Sequence, residues 1–188
     1  MPESVCPWWL GYLLASPLRK WISDGPERLL APYLKEGMTV VEPGPGMGFF
    51  TLPLARMVGP AGRVIAVDIQ LRTLESLRRR AAKAGLTGRI ETHLAMPDRM
   101  GIPDLTNAAD LVLVFAVLHE MPSAESFFLE AAQMLKRGAL LYLAEPRGHV
   151  KPEAFAAEIE AARAAGLKFK EVACPPAHRC HSVILEKE

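Results

Sequence analysis

The sequence predicts an α/β domain built on a doubly wound, mostly parallel sheet, and three observations carry that prediction. From residue 37 onward short apolar runs alternate with helical patterns, the signature of right-handed βαβ units. Residues 111–118 (LVLVFAVL) are apolar at every position, as suits a strand covered on both faces. Residues 40–48 (VVEPGPGMG) run from β-branched residues into a glycine-rich turn, and turns at that place in an open α/β sheet border the ligand.

Taken in order, strand one is expected at 39–42, with a helix over 48–58 that tolerates Pro53 near its start. Strand two follows at 63–68, a long charged amphipathic helix at 70–84 and strand three at 89–94. Strand four is 111–118. The next helix spans 123–136, with Ser123 as N-cap and Gly138 just past its end. Strand five is 139–144, and an alanine-rich helix at 152–165 is stopped by Gly166. Segments 168–173 and 179–185 form two closing strands around the turn PPAH. No helix separates them, so the last strand runs antiparallel to the rest. Strand six is expected to run parallel to its neighbours. Residues 1–36 lie outside the alternation and read as an N-terminal helical cap rich in aromatics (Trp8, Trp9, Tyr12, Trp21), leaving 37–188 as one domain. The cap either packs passively or closes over the ligand as a lid.

At 188 residues the chain suits a single domain. Its 50% hydrophobic and 23% charged residues are ordinary for a globular protein, and a net charge of +1 gives no general attraction to nucleic acid or an anionic membrane. The triplet Arg78-Arg79-Arg80 falls late in a helix and reads as a solvated face. No apolar run reaches membrane-spanning length. The three cysteines, without an export signal, fit a reducing cytoplasm.

The glycine turn is not the dinucleotide fingerprint, which needs GxGxxG. Gly44 and Gly46 fit that spacing, but the third glycine is Gly48, giving GxGxG preceded by Glu42. A carboxylate there repels a pyrophosphate and suits an ammonium or sulfonium group. Asp68 ends strand two, twenty residues after Gly48 (68 − 48), where an acid can accept both hydroxyls of a ribose while Ile69 lies against an adenine. Cationic amino-acid tail and ribose together describe S-adenosylmethionine.

These residues resemble the class I S-adenosylmethionine-dependent methyltransferases. VVEPGPGMG is similar to their first motif, VIAVDIQ to their second, AADLVLVFAVLHEM to the strand-four motif and LLYLAEP to strand five. The resemblance covers 37–188 and implies a Rossmann-like seven-stranded sheet in the order 3-2-1-4-5-7-6, with helices on both faces. It implies that Glu42, Gly44, Gly46 and Gly48 surround the methionine part, that Asp68 holds the ribose, and that Ile69 and Gln70 flank the adenine. Phe115 and Ala116 would face the sulfonium. The acid that family members carry after strand three is replaced by Met96, so the adenine amine would meet either a shifted Asp98 or the backbone of Ala95 and Met96.

Because the cofactor brings the reactive carbon, the protein mainly aligns the partners, and a base is needed only where the acceptor must lose a proton. His119, beside Glu120 after strand four, is either a catalytic group or a turn-bracing one; Ser123 breaks any zinc-protease HExxH. After strand five, His149 is a substrate-site candidate, and Glu145 is expected to brace the loop or bind Arg147. The segment CPPAHRCH places Cys174, His178, Cys180 and His181 near the same edge. Soft donors could hold zinc, a thiol or a metalloid acceptor, with Cys6 joining if the cap folds over. Against this, Cys180 and His181 point to opposite faces of a strand, the spacing is no zinc knuckle, and buried cysteine packs as a small hydrophobe.

The sequence thus implies methyl transfer to a small-molecule acceptor, with no nucleic-acid partner. Other readings are a non-catalytic module that binds S-adenosylmethionine or S-adenosylhomocysteine, and a methyltransferase for a soft acceptor using Cys174 and Cys180. A nicotinamide oxidoreductase is disfavoured by Glu42 and the glycine spacing.

Overall fold

The computed structural model describes residues 25–102, 105–173 and 180–188. Among these, seven strands form one sheet in the order β3-β2-β1-β4-β5-β7-β6, matching the expected topology. The strands are β1 (Thr39–Pro43), β2 (Arg63–Asp68), β3 (Ile90–Leu94), β4 (Ala109–Phe115), β5 (Leu135–Pro146), β6 (Leu167–Glu171) and β7 (Cys180–Lys187). The helices are α1 (Pro26–Leu30), α2 (Thr51–Met57), α3 (Leu71–Lys83), α4 (Ala124–Met134) and α5 (Pro152–Ala164).

The strand alternation sorts side chains onto two cores. Val41, Val67, Val112, Val114, Leu141 and Leu143 pack with Phe127, Phe128 and Phe155 of α4 and α5 on one face. Their chain neighbours Val40, Val64, Leu111, Leu113 and Tyr142 pack with Leu30, Leu54 and Leu77 of α1, α2 and α3 on the other. Every turn of this layering places the carboxyl ends of β1, β2 and β4 side by side, since those three strands are mutually parallel.

Residues 25–36 contribute to the second core through Leu29, Leu30 and Leu34. The cap aromatics Trp8, Trp9, Tyr12 and Trp21 lie outside the described residues.

Several expected boundaries move for identifiable reasons. Helix α2 begins at Thr51 rather than residue 48, because Gly48 sits at φ +84° and a left-handed residue cannot start an α-helix. Strand β4 stops at Phe115, since Ala116 turns to φ +55°; Val117 and Leu118 are apolar because they pack in a turn, not because they extend the strand. Gly138 is not a helix stop. Helix α4 ends at Met134, β5 starts at once, and Gly138 lies in an irregularity where Ala109 and Leu111 pair with Leu135 and Leu140. Ser123 does cap α4, accepting from the Ser126 N–H at 3.1 Å. Strand β6 has no parallel neighbour: β7 inserts between it and β5 and pairs antiparallel with both.

Candidate functional site

The site residues gather along the carboxyl edge of β1, β2, β4 and β5. Glu42 sits near the end of β1, with only 4% of its surface exposed. Burial pushes its carboxyl up to about 7, tempered by the nearby Thr51 hydroxyl. That hydroxyl is too poorly aligned to count as a bond: Glu42 Oε2 and Thr51 Oγ1 are both buried without a hydrogen-bond partner among the described residues. Such an orphaned acceptor is costly in a finished core.

The glycine turn follows directly. Gly44 donates its N–H to the Val67 carbonyl of β2 at 2.8 Å, and a Cβ on it would meet Val117 Cγ2 at 2.5 Å. Gly46, at φ +52°, has none of the described residues within 4 Å of where a Cβ would stand. The loop therefore packs on one side and stays open on the other. Arg80, expected in a solvated face, instead reaches from α3 to donate to the Met47 carbonyl, and Arg78 donates to Thr92 Oγ1 at 2.6 Å.

Asp68 closes β2, and its Oδ1 accepts the Gln70 N–H at 2.8 Å. Burial raises it to about 6, opposed by the backbone N–H groups of Gln70 and Ile69 and reinforced by the charge of Glu120. Beyond it, Ile69 and Met96 leave 43% and 53% of their surfaces exposed, an apolar pair beside a carboxylate. The N–H groups of Ala95 and Met96 are already used by the carbonyls of Asp68 and Arg99, each at 3.0 Å. Asp98 is exposed.

At the end of β4, Phe115 packs against Phe50 with centroids 4.5 Å apart. Ala116 holds its left-handed turn by donating to the Ala144 carbonyl at 2.8 Å. Strain of this kind in a residue with a Cβ clusters at functional sites. Glu145 is the brace. Fully buried, it accepts the N–H groups of Val117 (3.2 Å) and Leu118 (2.8 Å) through Oε1 and bonds His119 Nδ1 through Oε2. It thus braces the loop as expected, but its side-chain partner is His119, not Arg147, which is exposed. That hydrogen bond raises the His119 pKa, against the pull of burial, with further help from the charges of Glu145, Glu120 and Glu158. The His149 ring lies 5.3 Å from that of His119, and His149 is otherwise exposed.

Sequence reasoning missed Glu158 of α5. Its Oε2 is buried and unpartnered among the described residues, and burial followed by the charge of Glu145 raises it to about 7. In the sequence it is one glutamate in an alanine-rich amphipathic helix, with no local signal. Cys6, Cys174 and His178 lie outside the described residues. Cys180 is half-buried opposite Pro146, while His181 pairs across the strands with Glu145 and stacks on Phe155 at 5.2 Å. Among the described residues no group of three His, Cys, Asp or Glu side chains could hold a metal ion, and no helix is long and apolar enough to cross a membrane.

A family model described as a methyltransferase domain matches residues 34–178. The chain belongs to the S-adenosylmethionine-dependent methyltransferases. Its cofactor is S-adenosylmethionine, and the orphaned Glu42 oxygen, the open face of Gly46 and Asp68 at the end of β2 are a donor and acceptor set that fits it. The chain is similar to a solved S-adenosylmethionine-dependent methyltransferase from Aquifex aeolicus, at 25% identity and a TM-score of 0.84, covering 96% of this chain and 98% of that one. TrmN from Thermus thermophilus shares the fold at 22% identity and a TM-score of 0.69, covering 93% of this chain and 53% of that one. Among curated proteins, the ubiquinone/menaquinone biosynthesis C-methyltransferase UbiE of Enterobacter sp. (strain 638) is 29% identical over 112 residues, 60% of this chain. The chain's match spans 44% of that relative's length.

Proposed function

We propose that this methyltransferase acts on a small-molecule acceptor, in the cytoplasm, and that the acceptor binds beside the turn after β4. The observation that carries the reading is the buried carboxylate of Glu42, with one oxygen unpartnered among the described residues. A lone carboxylate in so dry a place is stabilised by a cationic ligand opposite it and by little else.

In this reading Glu42 faces the ammonium of the cofactor's methionine part, and Gly44, Gly46 and Gly48 let the backbone approach it. Asp68 accepts the ribose hydroxyls. Ile69 and Met96 give apolar cover to the adenine, with Gln70 at its flank. The adenine amine is a donor and finds its acceptor in a carbonyl of that segment, while the N–H groups of Ala95 and Met96, spent within the fold, are not left for a ring nitrogen. Phe115 and Ala116 border the sulfonium. When bound, the cofactor supplies an electrophilic methyl carbon; the chain's own residues align the acceptor and keep water away. The likeness to a curated C-methyltransferase supports a small acceptor.

Calorimetric titration with S-adenosylmethionine, S-adenosylhomocysteine and NAD tests the site. Binding of the first two, silence to NAD and loss of binding in Asp68→Ala are expected. Binding of NAD, or full affinity in Asp68→Ala, would overturn the assignment.

A further inference from the structure

Resting on that reading, the arrangement around His119 says what kind of acceptor the site takes. Glu145 is buried at the end of β5 and engages His119 Nδ1, so the ring has one orientation and one tautomer, with the proton on Nδ1. Nε2 is then the nitrogen left to accept a proton, and 20% of the side chain stays open at the ligand edge. The ring sits on the short turn Leu118–Glu120 that follows the strained Ala116 and the sulfonium-facing Phe115. The groups that face it are Glu145 and His149 from β5 and the loop after it, Glu158 from α5, and Glu120 from its own turn.

This is a base held by a buried carboxylate, with the acidic side chains of Glu120 and Glu158 near it. Such surroundings stabilise an imidazolium once it forms. They also discriminate among acceptors. Acidic surroundings favour the ammonium form of an amine, which has no lone pair to attack. A thiol ionises near pH 8.5, so although the same groups oppose its thiolate it starts closer to the reactive form and needs less help. A phenolic hydroxyl, ionising near pH 10, keeps its proton at neutral pH, and the acidic surroundings oppose a free-standing phenolate. It needs a base at the moment of transfer.

We propose that His119 Nε2 takes the proton of a weakly acidic hydroxyl, of phenol or enol type, as that acceptor is methylated, with Glu145 as the positioning residue. The acceptor's O–H bond breaks and leaves its electron pair on oxygen, and oxygen bonds to the methyl carbon. The carbon–sulfur pair returns to sulfur, and Nε2 carries the proton away.

The test uses labelled S-adenosylmethionine with catechol, acetylacetone, thiophenol and benzylamine as acceptors, on the wild type, His119→Gln and Glu145→Gln. Label should pass to catechol or acetylacetone. His119→Gln should lower kcat by about 100-fold or more, the usual worth of general-base catalysis, while calorimetric affinity for the cofactor stays unchanged. Glu145→Gln should lose less, move the pH midpoint of kcat downward, and lower the His119 titration midpoint seen in ¹⁵N-imidazole spectra. A purely structural His119 would leave kcat per folded molecule intact. Undiminished kcat in His119→Gln, label passing to neither hydroxyl probe, or an unmoved pH midpoint in Glu145→Gln would each overturn the proposal. Failure of the wild type to bind the cofactor would instead sink the reading beneath it, and calorimetry reports that separately.

Discussion

Arg80 on α3 donates its guanidinium to the carbonyl oxygen of Met47, the residue between Gly46 and Gly48. A helix that packs on β2 and β3 therefore pins the middle of a loop that follows β1. Left-handed glycines make that loop pliable, and the guanidinium restricts it from outside. Charge-assisted bonds of this sort contribute about 1.5–3 kcal/mol.

Arg80→Ala should consequently weaken S-adenosylmethionine binding by about tenfold, corresponding to roughly 1.4 kcal/mol, and lower the melting temperature by a few degrees. Calorimetry and thermal melts check this together. Unchanged affinity would mean that the loop is set by its own turn and by Val117.

Glu42 gives the protein a pH dependence with a definite sign. Its carboxyl titrates at about 7 in the fold against 4.5 for the ordinary group, so the folded state holds its proton more tightly than the unfolded chain. On this group's account the free protein is most stable below about 4.5 and loses stability as pH rises to about 7, by about 3 kcal/mol. A cation opposite Glu42 favours the ionised form. Binding of S-adenosylmethionine should then release a proton and tighten with pH, by up to about tenfold per unit below 7, and level off above. In Glu42→Gln both slopes should shrink, leaving below about 6 the share that belongs to Asp68. Denaturation and calorimetry at pH 5, 6, 7 and 8 read both effects. A slope that survives intact in Glu42→Gln would remove this residue from the ammonium's environment.

Much of this was legible in the sequence because it is written in local patterns. The short apolar runs and the glycine turn are properties of a few neighbouring residues, Asp68 stands at the end of β2 as expected, and the strand order is the one that the family resemblance implies. What escaped was set by partners far along the chain. The hydrogen bond of Arg80 spans 33 residues and that of Glu145 to His119 spans 26, and neither leaves a trace in spacing. Apolarity misled at Val117 and Leu118, where it signals packing in a turn. Gly138 misled because a glycine at φ +76° serves a strand irregularity as well as a helix end.

The glycines of the turn differ in a way that substitution exposes. A methyl group on Gly44 would collide with Val117 at 2.5 Å, whereas one on Gly46 meets no atom of the described residues within 4 Å. Both are left-handed, so each alanine carries about 1 kcal/mol or more of backbone strain. Gly44→Ala should add a packing penalty, lower the melting temperature further and displace the β4 turn. Gly46→Ala should melt nearer to the wild type yet bind S-adenosylmethionine far more weakly, because its methyl projects into the open side of the loop. Equal loss of binding and stability in the two variants would mean that Gly46 does not border the ligand.

Leu30 of α1 is fully buried in the core shared with Leu54, Leu77 and Tyr142, although the sequence assigns it to a cap outside the domain. Its neighbour Tyr33 meets Tyr142 edge-on, with ring centroids 5.7 Å apart, so this segment covers the β5 side of the sheet. Leu30→Ala removes three buried carbons and should cost about 2–5 kcal/mol of stability, with one cooperative transition. S-adenosylmethionine affinity of the folded variant should stay near that of the wild type, since none of the site residues on β1, β2 or β4 touches the truncated group's role in the chemistry. Denaturant unfolding followed by both fluorescence and circular dichroism decides the matter. A cost below about 1 kcal/mol, well under the core range, would mean that α1 is only loosely attached to the sheet.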